Sequence, residues 1–192
     1  MAAALDWLHR YARPLLLIVP GLLSIGAFIA VLGLPLIGWS VYALGYLGLL
    51  IAVPQMAAVY RSAFDGAAWL WLGLFYAGVV MGVPVMLGLW GYYAQNPGVQ
   101  AVLMPYALTP LAMLPGVIAW AGLGLFGLAT FGPRSVPRSG AVLFVLAALC
   151  ALPAELGIFV FPMWGLGVIL ASLGLVAVSP LAPARKPAFG GG

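Results

Sequence analysis

The sequence predicts an all-α, polytopic integral membrane protein, with six transmembrane helices arranged as three antiparallel hairpins and both termini cytoplasmic. Three observations carry that expectation. Only 5% of the 192 residues are charged and 66% are hydrophobic, whereas a soluble domain carries about 25% charged residues. The apolar sequence is divided into six runs by short stretches rich in turn residues. All seven basic residues fall on alternate segments between those runs.

Residues 1–14 form a polar lead. Either Ala2 to Tyr11 lie at the membrane surface, with Trp7 and Tyr11 at headgroup level, or the segment is a loose arm. The first span covers about 15–34. Its apolar run exceeds that of a cleavable signal and further spans follow, so it is expected to be retained. Gly26 and Ala30, four apart, give it a small face for close helix contact. Residues 35–40 read as a turn, and the second span as 41–60, with Gly48 and Ala52 again four apart and a kink at Pro54.

The next loop carries Asp65-Gly66 as its turn signal. The third span, 69–92, holds Gly78-x-x-x-Gly82 and Pro84, with aromatic residues at both ends as an interfacial belt requires. Asn96-Pro97-Gly98 turns the chain. The fourth span, 101–131, exceeds the roughly 20 residues that cross the hydrocarbon, and Pro105, Pro110 and Pro115 crowd its first half. Residues 102–114 are therefore read as irregular or surface-entering, and Pro115 or Gly116 to Thr130 as regular helix. The fifth and sixth spans, 140–161 and 163–178, are joined at Pro162 with almost no loop, and residues 179–192 read as a disordered cytoplasmic tail.

The basic residues set the orientation. Six spans put the amino terminus, the second and fourth loops and the carboxyl terminus on one side. Those segments hold Arg10 and Arg13, Arg61, Arg134 and Arg138, and Arg185 and Lys186. The other side receives none, the bias that short cytoplasmic loops show. Five or seven spans would break this pattern. The expected location is a bacterial plasma membrane.

Glu155, the single Glu, is the one carboxylate inside an apolar run. Burying a charge in hydrocarbon is expensive unless it is paired or protonated, so such a residue is a candidate functional site. Counted from the end of the fifth span, it lies about 9 Å deep. Tyr46, Thr109, Tyr106 and Met86 share that depth. It either carries a proton or binds a cation with the hydroxyls as relay groups, or fixes helix packing as a neutral hydrogen-bonded acid, or faces an outer vestibule. A shift of 69 residues aligns the third and fifth spans, placing Pro84 on Pro153 and Met86 on Glu155.

Other chemistries lack their parts. One Cys and one His exclude a disulfide framework and leave no zinc or haem site, so no metal or cofactor is expected. No catalytic motif of a protease, hydrolase or nucleotide-binding enzyme is present, and the bases are too scattered for nucleic acid. The expected partners are the lipid bilayer and, through the small-residue faces, another membrane protein or a second copy of the chain. The primary expectation is a structural or accessory subunit of a membrane assembly. The alternative is a small proton- or cation-coupled carrier or channel that uses Glu155.

The charge pattern has a direct test. A cysteine replacing Asn96 is expected to react only from outside the cell, and one placed at the carboxyl terminus only from the cytoplasm. Labelling of both from the same side would overturn the six-span arrangement.

Overall fold

The computed structural model describes residues 18–29, 32, 34–60, 64–96, 109–131, 137–156 and 161–178. These form six helices and no strand. They are α1 (Ile18–Ile29), α2 (Pro35–Val59), α3 (Gly66–Gln95), α4 (Thr109–Thr130), α5 (Arg138–Glu155) and α6 (Phe161–Val178). Four are long and apolar enough to cross a membrane: Leu36–Ala58, Gly66–Gln95, Met113–Thr130 and Arg138–Glu155. Ile18–Ile29 and Met163–Val178 are shorter apolar helices over the described residues. Large side chains such as Phe28, Leu44, Leu70, Leu128 and Leu149, each more than half exposed, stud the perimeter. A surface this apolar suits lipid and is unusual for a water-soluble monomer.

Several helix boundaries differ from the sequence expectation, each for a local reason. The stretch 35–40, expected as a turn, is the first turn and a half of α2. Proline suits a first helical position because its missing N–H has no intrahelical partner there, and Pro35 opens the helix. Similarly α3 begins at Gly66, ahead of the expected Trp69, because the Asp65 carboxylate caps it by accepting from the Ala68 amide at 2.8 Å. The regular part of the fourth span also starts early. Helix α4 begins at Thr109, so Pro110 lies in its first turn, where proline is tolerated, and Pro115 is interior. Residues 101–108 lie outside the described segments. In contrast, α5 stops at Glu155, where residues 140–161 were expected to be one helix.

Glycines set the distances between neighbours. A Cβ on Gly26 would collide with the backbone of Tyr42, and one on Gly48 with Val19, so α1 lies directly on α2. On α3, Gly78 faces the Ala119 backbone of α4 and Gly82 faces the Tyr46 hydroxyl of α2. The two glycines of this one motif therefore admit two different neighbours. Gly122 on α4 lies against the backbone of Phe75, and Gly124 against Ala148 of α5. Gly140 and Gly174 bring α5 and α6 together, against Val178 and the Phe144 ring respectively. Ala52 is fully buried on α2, and Ala30 lies outside the described residues. In the α1–α2, α3–α4 and α5–α6 pairs the contacting residues run in opposite order along the two helices.

Hydrogen bonds close the ring of helices. Ser24 of α1 donates to Ser172 of α6 at 3.2 Å, and the Tyr60 hydroxyl after α2 donates to the Val178 carbonyl at 2.6 Å. At the end where α3 and α5 begin, Phe64 and Phe126 meet edge to face and Phe126 and Phe144 meet at a tilt, with centroids 5.3 and 5.9 Å apart. All three are buried.

The glycine contacts make a paired prediction. Gly78→Ala forces α3 and α4 apart against backbone, and overpacking of this kind costs about 1–3 kcal/mol. Gly73→Ala on the same helix meets open space and leaves stability unchanged or raised. Thermal unfolding in detergent compares the two, and equal melting temperatures would mean that the close approach contributes nothing.

Candidate functional site

The site begins with a glycine and a tryptophan four residues apart on α4. At that spacing both lie on one helix face, and long side chains lean back over the preceding turn. Trp120 therefore reaches over Gly116. The carboxyl of Glu155 occupies the seat that Gly116 leaves open: a Cβ there would lie 2.6 Å from the carboxyl carbon and 2.7 Å from each oxygen. Trp120 Nε1 donates to Glu155 Oε1 at 3.3 Å. Trp164 Nε1, from the first turn of α6, donates to the same oxygen at 2.9 Å. One carboxyl oxygen thus ties α4, α5 and α6 together. Among the described residues no donor reaches Oε2.

The position of Glu155 follows from the proline before it. Pro153 has no amide hydrogen and deprives the Leu149 carbonyl of its usual partner, weakening the last turn of α5. The final bond comes from the Leu156 amide to the Leu152 carbonyl at 3.1 Å, and the helix ends. Glu155 is its last residue, so the carboxyl sits at the negative end of the α5 dipole, where a negative charge is disfavoured. The two indole N–H groups offset that.

Glu155 and the Trp120 and Trp164 rings border a central cavity of about 350 Å³ that receives residues from all six helices. One stretch of its wall is aromatic. Trp39 and Tyr42 meet edge to face at 5.5 Å, Tyr42 lies 5.5 Å from Trp164 and 6.1 Å from Tyr46, and Trp39 lies 6.4 Å from Trp164. Aliphatic residues such as Leu49, Val79 and Val168 complete the lining. Polar atoms are few: the Glu155 carboxyl, the Tyr42 and Tyr46 hydroxyls, the indole nitrogens and Ser172. Among the described residues Glu155 is the only acid that lines the cavity, and no Lys, Arg or His does so.

The residues singled out in the sequence are distributed as follows. Tyr46 and Met86 line the same cavity as Glu155. Thr109 is the first residue of α4, and the carboxyl meets that helix at Gly116, about 10 Å of rise further along. Tyr106 lies outside the described residues, as do Arg10, Arg13, Arg61, Arg134, Arg185 and Lys186. Arg138 opens α5 and is exposed. Met86 and Glu155, equivalent under the 69-residue shift, both face the cavity, but α3 continues to Gln95 whereas α5 stops.

Sequence reasoning missed the two indole donors and the glycine seat. Two signals were present: the four-residue spacing of Gly116 and Trp120, and a Trp just past the tight connection after Glu155. Tryptophan in a membrane chain is the usual residue of interfacial belts, which hides both signals. The described residues contain no group of three or more His, Cys, Asp or Glu that would hold a metal ion. No protein-family model matches the chain, and neither a curated protein nor a solved structure matches it.

The double acceptor predicts an asymmetry between two substitutions. Glu155→Gln keeps the size and one acceptor oxygen, so thermal stability in detergent stays close to wild type. Glu155→Leu strands two indole N–H groups and costs about 1–3 kcal/mol. Equal stability of the two variants would show that the indole bonds hold nothing together.

Proposed function

We propose that this chain is a six-span protein of the plasma membrane, built as three hairpins with cytoplasmic termini, that works as a small proton- or cation-coupled carrier. The cavity around Glu155 is the observation that carries this reading. Protein interiors are close-packed, with few voids larger than a water molecule. A partly open pocket of about 350 Å³ falls within the range of small-molecule sites, roughly 300–1,000 Å³, and its mostly apolar wall with a few convergent polar groups is their usual character.

Each part has a role in the proposal. Glu155 is the group that exchanges a proton for a cation. Trp120 and Trp164 fix one carboxyl oxygen and leave the other directed at cargo. Phe64, Phe126 and Phe144, in edge-to-face and tilted contact, form the closed gate at the end where Arg138 opens α5. Pro84, Pro115 and Pro153 lie within one turn of Met86, Gly116 and Glu155, where weakened helix bonding permits bending.

A structural or accessory subunit is the second reading. The ties from Trp120 and Trp164 to Glu155 support it, because they join three helices without invoking cargo. Docking of another membrane protein, or of a second copy, belongs to this reading.

Flux separates the two. In reconstituted vesicles, wild-type protein is expected to give a pH- or cation-dependent flux, and Glu155→Gln to fold normally yet abolish it, because an amide does not titrate. Equal flux in the two, or none in either, would end the carrier reading and leave the structural one.

A further inference from the structure

We propose that the central cavity binds a small monovalent organic cation, a quaternary ammonium or protonated amine with apolar substituents. The inference rests on the ligand-binding reading above and names the cargo class. Three features of the lining converge on it.

The first is charge. The cavity offers one carboxyl and no basic side chain among the described residues. A buried carboxylate without a cation is costly, and a single positive charge matches it. A dication would leave one charge uncompensated, and an anion would face the carboxylate directly.

The second is the aromatic wall. Trp39, Tyr42, Tyr46 and Trp164 form a continuous array with neighbouring centroids 5.5 to 6.4 Å apart. Ring faces attract a cation through their quadrupoles, and the attraction grows when water is excluded. Trp164 does both jobs: its N–H holds the carboxyl while its ring continues the wall. The carboxylate and these rings thus line the same space.

The third is what the lining lacks. A desolvated inorganic cation such as sodium or calcium needs a shell of oxygen ligands. Here the oxygens are one carboxyl, two tyrosine hydroxyls and a serine already bonded to Ser24, set in a largely apolar wall. Such a wall receives methyl, methylene or phenyl groups. An alkylammonium presents a diffuse charge inside an apolar envelope, and both match.

Purified full-length protein in lipid nanodiscs provides the test, with three probes of similar shape. Benzyltrimethylammonium carries the charge, 2,2-dimethylpropylbenzene replaces its nitrogen by carbon and is neutral, and 4-tert-butylbenzoate is an anion. Quenching of tryptophan fluorescence reports occupancy, since Trp39, Trp120 and Trp164 line the cavity. Saturable binding is expected for the ammonium, at least tenfold tighter than for the neutral isostere, with no binding of the benzoate. Glu155→Gln weakens the ammonium at least tenfold and leaves the isostere unchanged, and Tyr42→Leu weakens the ammonium more than the isostere. The wild-type comparison of ammonium with isostere decides the matter even where a variant fails to fold. Equal or tighter binding of the isostere or the benzoate would overturn the cation assignment while leaving a binding protein. Absence of binding by all three would overturn the assignment and the ligand-binding reading together.

Discussion

A carboxyl group bonded by two indoles at the meeting point of three helices is the constraint on which the centre of this molecule depends. Glu155 stands at the carboxyl end of α5, where the helix dipole opposes negative charge, within an apolar bundle that gives it no basic partner among the described residues. What holds it is local. Gly116 leaves room for it, Trp120 reaches from one turn further along α4, and Trp164 comes from the start of α6. Both bonds converge on one oxygen. The carboxyl is therefore fixed without being fully satisfied, and it faces a space bounded by π-systems.

The remainder of the bundle explains why that space is not filled. Glycine seats pull neighbouring helices into backbone contact at Gly26, Gly78 and Gly122, and Gly140 takes the Val178 side chain. At the level of Glu155 the wide rings of Trp39, Tyr42, Tyr46 and Trp164 contact one another and prop α2 and α6 around the centre. Towards the Arg138 end, the smaller rings of Phe126 and Phe144 are buried and meet at a tilt, 5.9 Å apart.

Much of the architecture was legible in the sequence because bilayer solvation leaves a blunt signature. Sparse charge and long apolar runs indicated an all-helical chain with membrane-length segments, and the described residues are all-helical with four helices of that kind. Helix ends were less legible. Pro35 and Pro110 read as breakers although proline at a helix start is favourable, and Asp65 read as a turn residue although it caps α3. The site was half legible. Glu155 stood out because an acid in an apolar run is rare, and Tyr46 and Met86 were placed near it by depth. Its actual partners were hidden because Trp is the expected residue of interfacial belts, and nothing in one-dimensional spacing says that an indole turns inward.

The central claim is that a fixed carboxyl borders an open, aromatic-walled space inside the bundle. A crystal structure of the protein grown from a lipidic phase measures this most directly. The account predicts both indole nitrogens within hydrogen-bond distance of one Glu155 oxygen, and a central volume of a few hundred Å³ that protein side chains leave unfilled. A collapsed centre, with Trp39 or Trp164 packed across it and Glu155 turned out to the lipid or to the membrane surface, would contradict it.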